Sequence, residues 1–140
     1  MQVRDVMTNG AVCVRPSDSL QEAAQKMRDL DVGPLPVRGD DDRLVGILTD
    51  RDITVRAVAE GCDPRATTVK DVMTPDVVYC FKDQDVREAA RLMQQYQVRR
   101  LVVLNQDERI VGIVSLGDLA VETGDQKLAG KTLEQVCLPL

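Results

Sequence analysis

The chain has 140 residues, 18 basic against 23 acidic, and a net charge of −5. With an acidic balance and only Tyr79, Phe81 and Tyr96 as aromatic residues, it offers neither a basic phosphate-tracking surface nor a base-stacking platform, so no nucleic-acid partner is expected. No apolar run reaches the roughly 18 residues of a membrane span, and Met1-Gln2-Val3-Arg4-Asp5 lacks an export-signal layout, so a cytoplasmic protein with no membrane partner is expected.

In chain order the first recognisable segment is Val3-Arg4-Asp5-Val6-Met7-Thr8, which returns as Val69-Lys70-Asp71-Val72-Met73-Thr74, an offset of 66 residues (3 to 69). The offset pairs Val45-Gly46-Ile47 with Val111-Gly112-Ile113 and Asp52 with Asp118 without a gap. Residues 11–14 and 77–81 read as a first strand. Ser19-Leu20-Gln21-Glu22 and Asp85-Val86-Arg87-Glu88 have the capping-box form and start a helix in each copy. Leu20, Ala23, Ala24, Met27 and Leu30 share one helical stripe, as do Val86, Ala89, Ala90 and Met93. Leu35-Pro36-Val37 and Leu101-Val102-Val103 lead through polar turns to residues 44–48 and 110–114, a strand, turn, strand signal twice over. Asp40-Asp41-Asp42 lies in the first of these turns, where aspartate is favoured for its own backbone chemistry.

A second helix is expected from 51 to about 60, and a shorter one from Asp118. The repeats therefore span 1–62 and 69–123, with a linker at 63–68 inside the turn-rich stretch 61–68, and a polar tail at 124–140 that can add a helix. At this length each half alone is marginal, so the two are expected to fold as one body. Strands and helices alternate too irregularly for a doubly wound sheet. The expected class is α+β, two βαββα repeats with small mixed sheets covered by helices.

Four cysteines, Cys13, Cys62, Cys80 and Cys137, have no close pair, and the chain has no histidine. They read as reduced thiols in or near the core. Without histidine, a zinc site and most nucleophile schemes lack their usual partner, so neither a metal nor an enzyme activity is expected.

The candidate site is Gly46-Ile47-Leu48-Thr49-Asp50-Arg51-Asp52 and its copy Gly112-Ile113-Val114-Ser115-Leu116-Gly117-Asp118, each at a strand end and helix start. Unpaired N–H groups there suit a phosphate, and a carboxylate three residues after the hydroxyl can hold two adjacent ribose hydroxyls. The same hydroxyl-to-acid spacing is also plain helix capping. The preceding glycine is what capping leaves unexplained, and it suits a close approach of backbone to ligand.

These motifs together resemble the cystathionine-β-synthase (CBS) domain pair, or Bateman module, over roughly residues 1–122. The resemblance implies two repeats packed about a pseudo-twofold axis, two clefts for adenine nucleotides or related adenosyl compounds, and a homodimeric disc. It implies that Asp52 and Asp118 hold ribose hydroxyls, that Thr49 and Ser115 contact phosphate, and that Val12 and Val78 lie near adenine. Arg99, with Arg100 beside it, stands where family members reach phosphate; Gly33 and Pro34 stand there in the first copy, and Arg51 can contribute at the first helix start. The function implied is an energy-sensing regulatory module with no obligatory cofactor. Its ligand would be AMP, ADP or ATP, with NAD and S-adenosylmethionine as further candidates, and its output an effector protein on another polypeptide. The alternatives are a structural dimerisation module with unoccupied clefts and, with the paired carboxylates as acid and base, a nucleotide hydrolase.

Overall fold

The repeat of the sequence becomes a repeat of elements. The computed structural model describes residues 1–139. In chain order they form β1 (Thr8–Asn9), α1 (Leu20–Leu30), β2 (Pro34–Arg38), β3 (Leu44–Thr49), α2 (Asp50–Asp52) running into a π-wound stretch Ile53–Val58, and α3 (Val69–Val72). There follow β4 (Tyr79–Phe81), α4 (Val86–Tyr96), β5 (Arg100–Leu104), β6 (Ile110–Ser115), α5 (Leu116–Thr123) and α6 (Gln126–Cys137). Two units result: Val12–Val77, and Met1–Ala11 together with Val78 and the residues after it. The opening segment of each sequence repeat thus belongs to the unit built mainly by the other. This is the mixed α and β arrangement expected, small sheets covered by helices.

In the continuous unit β2 and β3 pair antiparallel, Pro34 opposite Thr49 and Leu35 opposite Leu48. Single bridges extend the pair on both sides, Val14 to Val37 in parallel and Thr74 to Ile47 antiparallel. α1 begins at Ser19, whose side chain accepts the Glu22 N–H at 3.1 Å, and ends at Asp31 in the left-handed conformation (φ 54°). It buries Leu20, Ala23 and Met27 among Val14, Leu35, Val37 and Leu48. Ala24 and Leu30, expected on the same stripe, are exposed, so the buried face is narrower than the periodicity suggests.

The other unit completes the same plan as a four-stranded sheet in the order β1-β6-β5-β4, with β4 parallel to β5. Val86, Ala89, Ala90 and Met93 are all buried against Leu101, Val103 and Val114. α6, the helix allowed for in the tail, packs on α4 and α5; Leu140, the last residue of that tail, lies outside the described residues. Its Thr132 is fully buried, accepting from Gln94 Nε2 at 3.0 Å and donating to the Leu128 carbonyl at 2.7 Å.

Four expectations change. The strand at 11–14 contracts to the bridge at Val14, because Pro16 follows closely and cannot donate to a ladder, whereas Tyr79-Cys80-Phe81 keeps its pairing. The capping boxes at Ser19 and Asp85 form on one side only; Asp85 accepts from Arg87, and Glu88 turns instead to Arg91. The second helices begin at Asp50 and Leu116, immediately after their hydroxyl caps. Cys80 is buried and Cys13 half-buried, but Cys62 and Cys137 are exposed, so only two of the thiols lie in or near the core.

The triplet Asp40-Asp41-Asp42 forms a tight turn with positive φ at Asp41 and Asp42. Among the described residues no group of three metal-ligating side chains gathers there or elsewhere.

Candidate functional site

The two candidate motifs sit at equivalent corners, where β3 and β6 end and helices begin. In the first, Asp52 N–H donates to Thr49 Oγ1 at 3.1 Å and Thr49 N–H donates to Asp52 Oδ2 at 3.0 Å. In the second, Asp118 N–H donates to Ser115 Oγ at 3.0 Å and Ser115 N–H to Asp118 Oδ2 at 2.9 Å. Both are reciprocal capping boxes, which brings Thr49 to Asp52 and Ser115 to Asp118. Each carboxylate still has Oδ1 to offer and each hydroxyl still has a proton to donate. At Asp52 that oxygen faces Arg56 Nη2 at 3.9 Å.

The adenine-side candidates stand at the same end of their sheets. Val12 comes two residues before the Val14 bridge, level with the start of β2 where Pro34 meets Thr49; it is 42% exposed. Val78 precedes Tyr79, which pairs with Val102, and so comes level with the start of β5 near Ser115. It is half-buried and packs against the core of its unit.

The basic candidates divide. Arg100 is exposed and stands opposite Ser115 in the strand register. The Arg99 carbonyl accepts the Leu116 N–H at 2.8 Å, which ties its backbone to the helix start. Its guanidinium, however, turns to α6, with Nη2 3.6 Å from Cys137 Sγ. Arg51 is exposed, and its N–H donates to Asp50 Oδ1 at 3.0 Å. In the first corner the Asp50 N–H donates to the Gly33 carbonyl at 3.0 Å, so Gly33 and Arg99 hold the same backbone position.

The glycines have a different explanation from the one expected. A Cβ on Gly46 would lie 2.6 Å from Met73 Sδ and 3.0 Å from the Thr74 carbonyl oxygen. On Gly112 it would collide with the Thr8 carbonyl oxygen and lie 3.1 Å from Met7 Sδ. Glycine is required at both places because the chain's own Met-Thr segment crosses there, so it is not evidence of a ligand.

Between hydroxyl and aspartate stand Asp50 and Leu116, equivalent positions to which the motif assigns no role. The signal for them in the sequence is the 66-residue offset, which gives a carboxylate in one copy and an aliphatic side chain in the other.

Comparison with known proteins gives the following. The chain matches the CBS domain over residues 3–58 and 69–123. Hypoxic response protein 1 of Mycobacterium tuberculosis is 37% identical over 137 residues, which are 98% of this chain and 94% of that protein. The solved CBS domain pair of protein MJ0100, in complex with 5′-methylthioadenosine and S-adenosyl-L-methionine, has a TM-score of 0.78 at 27% identity, covering 89% of this chain and 96% of that one. CBSX2 in complex with AMP has a TM-score of 0.73 at 28% identity, covering 90% and 98%.

Proposed function

From its membership of the CBS domain family, to which this chain belongs, we propose that it is a regulatory module that binds adenosyl compounds and passes its ligand state to a separate protein. The observation that carries this reading is the pair of equivalent capping boxes, Thr49 with Asp52 and Ser115 with Asp118, each leaving a carboxylate oxygen and a hydroxyl proton for a ligand. The AMP and S-adenosylmethionine complexes of the two neighbours support it. Asp52 and Asp118 take the ribose hydroxyls, Val12 and Val78 flank the adenine, and Thr49 and Ser115 meet the 5′ end. Arg100 at the second corner and Arg51 at the first supply positive charge, and Arg99 joins them when its guanidinium leaves Cys137. Sequence repeats 1–62 and 69–123 each contribute one such corner. Binding changes output only through unequal affinity for two conformations.

The test is thermal unfolding with AMP, ADP, ATP, NAD and S-adenosylmethionine against a guanine-nucleotide control. A ligand at 100 times its Kd adds about 2.7 kcal/mol, a rise of several degrees in a chain this size. Asp118→Ala abolishes part of that rise without unfolding the protein, because a hydrogen bond to a charged group is worth about 1.5–3 kcal/mol. A flat response to every adenosyl compound rejects the reading.

A second observation favours self-assembly alongside binding. Val55 and Val121, equivalent under the 66-residue offset, are 49% and 78% exposed on the helical segments that follow the two corners. Large exposed apolar side chains at matched positions suit a homodimer contact. A Val55→Asp, Val121→Asp double variant that sediments as a monomer where the parent is a dimer supports it; a monomeric parent rejects it.

A further inference from the structure

The two corners share one backbone and differ in charge. At the first, Asp50 donates its N–H to the Gly33 carbonyl at 3.0 Å. Its carboxylate folds over Gly33, so that a Cβ built there would lie 3.2 Å from Asp50 Oδ1. The same oxygen accepts the Arg51 N–H at 3.0 Å, while Thr49 Oγ1 accepts the Asp52 N–H. Two of these N–H groups are held alike at the second corner, Leu116 by the Arg99 carbonyl and Asp118 by Ser115 Oγ, so what distinguishes the first corner is the Asp50 carboxylate on the Arg51 N–H. At the second corner Leu116 replaces Asp50, Gly117 replaces Arg51 and Arg99 replaces Gly33. No carboxylate caps that helix start ahead of Asp118, and the exposed Arg100 stands opposite Ser115, while the Arg99 guanidinium lies against Cys137.

The other charges at the first corner do not reverse this. Arg56 Nη1 donates to the Val72 carbonyl at 3.0 Å and to Thr74 Oγ1 at 3.1 Å, and its Nη2 lies 3.9 Å from Asp52 Oδ1, so its charge offsets that of Asp52. Arg51 is exposed and offsets Asp50 in charge, leaving no net positive charge at the helix start.

We infer that the two corners take different adenosyl ligands. The Thr49–Asp52 corner takes one whose 5′ group is uncharged or cationic, such as a thioether or sulfonium, with Asp50 excluding phosphate. The Ser115–Asp118 corner takes the anionic nucleotide. The inference rests on the adenosyl-binding reading above and names Asp50 as the residue that sets specificity. Asp50 is exposed, so the repulsion is that of like charges at the surface, which at about 4 Å separates the classes by about tenfold in affinity.

The test is calorimetric titration of the full chain with AMP and with 5′-methylthioadenosine, alone and in sequence. The parent protein binds one AMP per chain, and a further equivalent of 5′-methylthioadenosine after AMP is saturating. Asp50→Asn keeps the acceptor for the Arg51 N–H but removes the charge, and it gains a second AMP at least about tenfold tighter than any second AMP event in the parent. Arg100→Ala weakens the single AMP of the parent, and an AMP affinity equal to the parent's counts against the anionic assignment of the second corner. Two equivalent AMP sites in the parent, or an Asp50→Asn protein that keeps the parent's AMP stoichiometry and affinity while its circular dichroism matches the parent, overturns the inference and leaves the adenosyl-binding reading intact. No heat with either compound overturns both.

Discussion

Gly112 shows how a residue can look functional and be structural. Its Cα pairs with Asn9, and the Thr8 carbonyl occupies the space of a side chain. Gly112→Ala should cost about 3 kcal/mol by chemical denaturation, at the upper end of overpacking effects, because backbone must move. Gly46→Ala should cost less, about 1–2 kcal/mol, because its nearest neighbour is the flexible end of Met73 and the Thr74 carbonyl oxygen, at 3.0 Å, has only a little to give. Equal costs would contradict the difference in what each meets. The cysteines allow a second test at this scale. Burial raises the Cys80 thiol from 9.0 to about 12 and also raises Cys13, mainly by desolvation with smaller effects from Arg38, Asp42 and Lys26. A chromogenic disulfide at pH 8 should therefore label Cys62 and Cys137 first and Cys80 only on unfolding. Between about pH 9 and 12 the unfolded chain has lost the Cys80 proton that the folded chain retains, so this thiol lowers stability as pH rises through that window and has no effect below it.

At the scale of elements the asymmetry between repeats comes from α6. Ala90 is buried and its equivalent Ala24 exposed, because α6 packs on α4 and no helix in the Val12–Val77 unit does the same for α1. The residues of α1 at the positions of Gln94 and Gln97 are Arg28 and Asp31, charges that suit water. In place of those charges, Gln94 bonds Thr132, and Gln97 Nε2 donates to the carbonyls of Gln135 and Leu138 at 3.2 and 2.9 Å. Removing residues 126–140 should lower stability by about 2–4 kcal/mol, the burial of Leu128 and Val136 together with that of Met93, read as a fall of several degrees in Tm. An unchanged Tm would mean that α6 does not support the core. The π-wound stretch is the matching peculiarity of the first repeat, with the Ala59 N–H donating to the Thr54 carbonyl five residues back, where α5 is regular. Arg56 emerges from it to bond Val72 and Thr74, so Arg56→Ala should loosen the segment that carries Gly46's neighbour, at about 1–2 kcal/mol.

For the whole molecule, the partition by contacts differs from the partition by sequence repeat. Val12–Val77 contains Val14, Leu48 and Val69 of one core, whereas 1–62 lacks Val69 and Val72 and carries Val3 and Val6, which belong to the other core. An excised 12–77 fragment should therefore show more helical circular dichroism and a more cooperative melt than an excised 1–62 fragment. The reverse order would contradict the assignment of the opening segments. Both are small enough that stability is marginal, so the comparison reads the core composition directly.

The sequence by itself determined the element types, the 66-residue repeat and the two hydroxyl-to-aspartate corners, because turn chemistry, helix caps and apolar periodicity are local signals that each copy states independently. It also pointed to the CBS family through those motifs. It did not reveal that the opening segments Val3–Asp5 and α3 serve the unit of the opposite repeat, nor that Met7 and Met73 fill the space over the glycines. Those depend on contacts between residues more than twenty positions apart, which leave no periodic trace. Tertiary structure alone also decided that Arg99 turns to Cys137 and that Asp50 folds over Gly33, because a charged side chain's direction is set by the neighbours it finds in space and not by its place in a motif.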